Sequence, residues 1–216
     1  VTDLHLLWND PSVPIVLRST ITSPFGRKVR IAAQALGLSG RIIRRDADTR
    51  DAADDLRCQN PLGKMPCLLI AGEAFYDSGV ILELFDLLAG GARLLPGISQ
   101  PLERSRALTR ARLADGIAEA ALLMVYEDRF REPSQRSEVW MGHQRGKIER
   151  ALAAFEQAPP QTERIDIVNI GLGCALGYLD WRQPVEWRDT HPNLVAWLNQ
   201  FSAAVPAFQQ TESKAA

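Results

Sequence analysis

Two hydroxyls in this sequence stand where hydroxyls do chemistry, each at the start of a helix. Ser23-Pro24 pairs a strong capping residue with the residue best suited to the first helical position. Asp77-Ser78 opens a stretch whose apolar residues, Val80, Ile81, Leu84, Leu87 and Leu88, recur at helical spacing. A helix start offers free N–H groups and the positive end of the helix dipole. With a carboxylate beside it, such a start suits a ligand carrying both a carboxylate and an amine. Taken singly, either pair is an ordinary cap. Pro66, directly before the apolar run Cys67-Leu68-Leu69-Ile70, is either a plain strand starter or the cis-proline of a tight turn. Periodicity adds one more candidate. Leu108, Ala111, Asp115, Ala118, Leu122 and Val125 form a stripe with three-four spacing, and Asp115 is its one charge. A charge on such a face is paired or lies at an interface.

The other reactive side chains do not gather. His5, His143 and His191 are far apart, and Cys58, Cys67 and Cys174 are odd in number with no metal-ligand spacing. That pattern reads as reduced thiols in a cytosolic protein. The 25 basic and 26 acidic residues nearly cancel, so neither nucleic acid nor an anionic membrane is expected as the main partner. The opening fourteen residues show no leader pattern, and no apolar stretch is long enough to span a bilayer.

The elements that must hold these residues can be traced in order. Residues 1–14 read as an extension outside the first core element. Ile15-Val16-Leu17 is a strand, and Ser23 starts a helix with Phe25, Val29, Ala32, Ala33 and Leu36 on one face, broken by Gly37 and Gly40. Ile42-Ile43 is a second strand, flanked by Arg41, Arg44 and Arg45 as a solvated edge. The polar segment 46–59 holds one short helix. Residues 67–70 and 74–76 form two strands around the turn Ala71-Gly72-Glu73, and the Asp77-Ser78 helix follows. The order βαβ(α)ββα over residues 15–89 is a thioredoxin-like α/β domain. Gly90-Gly91, Pro96-Gly97 and Pro101 mark a linker over 90–101, and residues 102–216 read as an all-α, helical domain. Its helices are expected near 102–131, 134–157, 166–181 and from Pro192, with a break at Pro206 and a frayed polar tail from Thr211. Asp166 is the expected N-cap of the buried third helix, with Asn169 three positions on and Ile165 placed to meet Ile170.

The run NPLGK-x-P, an apolar strand and then Tyr-Asp-Ser at a helix start resembles the glutathione-binding half of a glutathione S-transferase. The segments SPFGRKVR, GCALGYLDWR and His191-Pro192-Asn193-Leu194 extend the likeness to bacterial members of that family, from Ile15 to Thr211. The resemblance implies a catalytic role for Ser23, whose hydroxyl would face the glutathione sulfur, with Thr20 and Thr22 as fallback hydroxyls. It implies a cis peptide at Met65-Pro66 that presents the Met65 backbone to the cysteinyl unit. Ser78 and Asp77 would hold the γ-glutamyl carboxylate and amine, and Lys64 would reach the glycyl carboxylate. Asp115, in an Asp-Gly pair as in some relatives, would reach the γ-glutamyl amine across a homodimer. The implied reaction is attack of glutathione thiolate on an electrophilic carbon, or on a peroxide, of an apolar small molecule seated near the Thr20–Ser23 loop and the helix around residues 111–119. Two other functions use the same scaffold: glutathione-dependent thiol–disulfide exchange, and non-catalytic glutathione binding or regulation. Ser23, where exchange chemistry uses cysteine, speaks against the first.

Overall fold

The computed structural model describes residues 3–162 and 164–212, which fall into two compact units. One runs to Gln100 and takes in the segment from Gln210; the other is Pro101–Gln209.

The first unit is built on four short strands, β1 (Ile15–Arg18), β2 (Ile43–Arg45), β3 (Cys67–Ile70) and β4 (Glu73–Phe75), in the spatial order β2-β1-β3-β4. β1 runs parallel to β2 and antiparallel to β3, and β3 is antiparallel to β4. Leu17 stands opposite Leu68 and Ile15 opposite Ile70, all four buried. Such unbroken apolar runs are expected of central strands covered on both faces. The β3–β4 connection needs two left-handed residues, Ala71 (φ 51°) and Gly72 (φ 82°), which matches the twist of a tight hairpin. The helices are α1 (Leu4–Asn9), α2 (Pro24–Ala35), α3 (Leu56–Gln59) and α4 (Ser78–Leu88). From β1 onward the order is β1-α2-β2-α3-β3-β4-α4, a thioredoxin-like arrangement.

Four features depart from the sequence reading. The opening residues are not merely an extension: Asp3 caps α1, and Trp8 is buried edge-on to Phe85 of α4 at 5.9 Å. Arg41 is not a solvated edge residue either, since it donates to the carbonyls of Trp8, Asp10 and Val13 and ties α1 down. The Gly- and Pro-rich stretch after α4 is anchored as well. Buried Asp86 accepts from the N–H groups of Ala92, Arg93 and Leu94, and Leu94 and Leu95 are buried. Thr211, placed by the sequence at the head of a frayed tail, is buried and accepts from Arg27 Nε at 3.3 Å. The rest of that tail, from residue 213, lies outside the described residues.

The second unit is helical: α5 (Pro101–Phe130), α6 (Glu138–Gln157), α7 (Ile167–Arg182), α8 (Pro192–Ala204) and α9 (Pro206–Gln210). Ala111, Ala114, Ala118 and Ala121 keep the buried face of α5 low. Gly171 on α7 lies so near it that a Cβ there would stand 3.4 Å from the Ala114 methyl. Gly173 is required by the neighbouring ring, since its Cβ would lie 2.5 Å from Phe201 of α8. The α6 start differs from expectation. Pro133–Gln135 is a single 3-10 turn, and Ser137, not Ser134, caps the helix through Trp140 N. Asp166 caps α7 through the N–H groups of Val168 and Asn169. The Asn169 amide turns instead to the carbonyls of Gln161 and Arg164. At α8 the cap comes from another helix, for Glu156 of α6 accepts from the N–H groups of Asn193 and Leu194.

Candidate functional site

The loop between β1 and α2 is fixed from both ends. Arg18, buried at the end of β1, donates to Asp54, Asp55, Gln59 and the Asp46 carbonyl. Burial works against its charge, but the hydrogen bonds and charges of Asp55 and Asp54 outweigh it and hold its pKa above the ordinary value. Ser19, also buried, donates its N–H to Arg45 O at 3.1 Å. Gly26 leaves room for Ser19: a Cβ there would collide with the Ser19 hydroxyl and press on its Cβ at 3.1 Å. Ser23 is thereby set in extended backbone (φ −79°, ψ 121°) at the head of α2. Its Oγ accepts from Gly26 N at 3.1 Å. A hydroxyl used as acceptor by the backbone still has its own proton to donate, and here that proton sits at the positive end of a helix.

Facing this loop is the segment before β3. Buried Asn60 shapes it, giving its amide to Lys64 O at 2.8 Å and accepting from Leu62 N at 3.0 Å, while Gly63 supplies the left-handed turn (φ 58°). Lys64 is exposed and Met65 half-buried, and the Met65-Pro66 peptide is cis. Thr20 Oγ1 lies 3.5 Å from Met65 Sδ and 3.0 Å from Thr22 Oγ1, so the hydroxyl loop and the proline loop touch.

At the head of α4, exposed Asp77 is the N-cap, accepting from Gly79 N at 2.8 Å; the Tyr76-Asp77 peptide is also cis. Ser78 is the first helical residue and is buried, and its Oγ accepts from Lys28 Nζ at 3.3 Å. Ser23, Met65-Pro66 and Ser78 are thus linked through loop and helix contacts of one unit, with Lys64 and Asp77 adjoining in the chain. Asp115 belongs to the other unit. It is buried on α5 and pairs with Arg112 of the same helix at 3.2 Å.

Two cations at this site escaped the sequence reading, Arg18 and Lys28. Lys28 was passed over because only one apolar face of α2 was counted. The unread signal was Ile31, which is fully buried yet off that face. It lies three positions after Lys28, so it marks a second buried side of the helix on which Lys28 sits.

The thiols differ sharply from the hydroxyls in setting. Burial pushes the Cys67 thiol up, and the charge of Arg18 offsets this only in part. Cys174 is buried in α7, and Cys58 is exposed on the four-residue α3. Among the described residues no cluster of three or more His, Cys, Asp or Glu side chains could hold a metal ion, and no helix is long and apolar enough to cross a membrane.

A family model described as glutathione S-transferase, N-terminal domain, matches residues 22–88. The uncharacterized GST-like protein YibF of Escherichia coli (strain K12) is 34% identical over 203 residues, which is 91% of this chain and 97% of that protein. Among solved structures, a glutathione transferase family member from Pseudomonas fluorescens Pf-5 with bound glutathione is 39% identical. The match covers 93% of this chain and all of that one, with a TM-score of 0.85. A glutathione S-transferase from Methylobacterium radiotolerans in complex with glutathione sulfonate is 33% identical, covering 94% of this chain and 96% of that one at a TM-score of 0.82.

Proposed function

This chain belongs to the glutathione S-transferase family, and we propose that it binds glutathione along the Ser23, Met65 and Ser78 loops and activates its thiol. The observation that carries the reading is Ser23 itself, a helix-capping hydroxyl whose oxygen accepts from Gly26 N and whose proton is left to donate to sulfur. A free thiol has a pKa of about 8.5, so only a small fraction is thiolate at neutral pH. Lowering it by about two needs roughly 2.7 kcal/mol of preference for the charged form. One hydroxyl hydrogen bond to an anion, with the dipole of the twelve-residue α2 behind it, is of that size.

In this reading the Met65 backbone pairs with the cysteinyl unit. Ser78 and the N–H groups at the head of α4 take the γ-glutamyl carboxylate, Asp77 takes the amine, and exposed Lys64 takes the glycyl carboxylate. The thiolate then attacks an electrophilic carbon or a peroxide of an apolar compound. The protein acts as a cytoplasmic homodimer in which Asp115 serves the γ-glutamyl amine held by the partner subunit. Bound glutathione and glutathione sulfonate in two of the relatives support the ligand. The setting of Cys67 disfavours thiol–disulfide exchange, because a buried thiol with a raised pKa is a poor nucleophile.

The test is a pH titration of the glutathione complex by thiolate ultraviolet absorbance, for wild type and Ser23→Ala. The bound thiol of wild type ionises well below its free pKa, and in the variant the shift is lost. Binding with an unshifted thiol in wild type would leave a glutathione-binding protein without conjugating activity.

A further inference from the structure

Lys28 is 2% exposed, on a helix whose neighbours Arg27, Val29, Ile31 and Ala32 are buried with it. Placing an ammonium in such surroundings is unfavourable unless it works against other polar or charged groups. One of its partners is the hydroxyl of Ser78, itself 3% exposed, with Nζ 3.3 Å from Oγ. The direction of this hydrogen bond is not in question. An ammonium has three donors and no acceptor, so Lys28 donates, and the proton of Ser78 must point elsewhere.

We infer that Lys28 is a positioning residue for the carboxylate end of the bound peptide: it occupies an acceptor site of Ser78 Oγ, turns the Ser78 proton toward the ligand, and adds a fixed positive charge behind the head of α4. The inference rests on the proposal that the site binds glutathione, and deepens it. Asp77 caps the same helix through Gly79 N, and α4 is eleven residues long, so the dipole and the lysine act with the same sign on one carboxylate. The spacing along α2 is the second part of the argument. Ser23 and Lys28 are five residues apart on one helix, an axial rise of about 7.5 Å. α2 thus carries both groups, Ser23 at its N-cap and Lys28 five positions on, set apart along one rigid element as the thiol and the α-carboxylate are set apart along a γ-glutamyl-cysteine unit. Charge behind a hydroxyl strengthens the hydrogen bond that the hydroxyl gives to an anion.

The test compares two ligands by calorimetry: glutathione, and 4-aminobutanoyl-cysteinyl-glycine, which lacks only the γ-glutamyl α-carboxylate. Wild type prefers glutathione. Lys28→Met, which fills the same space without charge or donor, weakens glutathione binding by about tenfold to a hundredfold and leaves the truncated peptide's affinity alone. Ser78→Ala reduces the same preference, and the double variant loses less than the product of the two single losses, because the residues act as one unit. Lys28→Gln, which keeps a donor and removes the charge, shifts in the same direction and carries the test should the methionine variant not fold. A full glutathione preference in either Lys28 variant overturns the lysine's role while leaving glutathione binding standing. Equal weakening of both ligands also overturns it, since that is the mark of a purely structural residue. Wild type that binds neither peptide overturns the functional proposal and this inference together.

Discussion

The two units bury charge of opposite sign. Among the described residues, the first buries Arg18, Arg27 and Lys28 against one carboxylate, Asp86; the helical unit buries Asp115 and Glu127 and no cation. The carboxylates do local structural work. Asp86 holds three N–H groups of the stretch after α4, and Glu127 accepts from Arg131 and from Ser137 N just before α6. Loops and helix starts expose N–H donors, so a buried carboxylate is the natural group to gather them. Cations serve a different purpose in the first unit. Arg18 locks the loop that carries Ser23, and Lys28 donates to the Ser78 hydroxyl at the head of α4. Buried positive charge in the first unit thus sits beside the proposed glutathione site, while in the other unit Glu127 completes the turn before α6 and Asp115 pairs with Arg112 of its own helix.

Substitutions that treat the two units alike should separate them. The largest effect is expected from Arg18→Leu, which strips the charge partner from Asp54 and Asp55 and unpins the end of β1. Urea unfolding should show a loss of about 3 kcal/mol, and glutathione affinity should fall with it. Glu127→Ala should cost about 1–2 kcal/mol in the same measurement and leave glutathione affinity unchanged, because its partners are a helix neighbour and a backbone N–H. A large affinity loss in that variant would break the comparison.

Asp166 gives a finer contrast. Burial pushes its carboxyl above the ordinary range, outweighing the N–H groups of Asn169 and Val168 that pull it down. A carboxyl raised in the folded state contributes most below its unfolded value of about 3.9, and that contribution is lost as pH rises through the folded value. At neutral pH the cap is therefore needed but its charge is a burden. Asp166→Ala should lose about 1 kcal/mol, whereas Asp166→Asn should keep the cap and match or exceed wild-type stability at pH 7, read as thermal midpoints. Asp54 has the opposite sign and the smallest effect. The N–H groups of Asp48 and Leu56, with Arg18 after them, hold its carboxyl below the ordinary value. Its contribution is present above the unfolded value and disappears as pH falls through the folded one. Asp54→Asn should flatten the acid side of the stability profile and leave the alkaline side as it was.

What the sequence made legible follows from which forces are local. The strand and helix order from β1 to α4 was readable because apolar runs, caps and turn glycines act over a few residues. Ser23 and Asp166 could be placed as caps for the same reason. Arg41 was read as solvated, and Lys28 and Arg18 were not singled out, because their partners lie 33, 50 and 36 positions away, at Trp8, Ser78 and Asp54. Long side chains with charged ends look alike in sequence whether they reach water or a distant acceptor. The α6 helix was expected from about Ser134 and begins four residues later, at Glu138, because its start is fixed by a non-local bond, Ser137 N donating to Glu127 ten positions away.

The bond from Arg27 to Thr211 has a consequence for synthesis. The first unit is interrupted in the chain: its sheet and helices are made early, yet the segment bearing Thr211 follows only after Pro101–Gln209. At about 5–20 residues per second, that leaves roughly 5–20 s in which the nascent sheet exists without its closing piece. The first unit therefore cannot be completed in the order in which it is translated, and the Arg27–Thr211 bond forms only after the helical unit has been made.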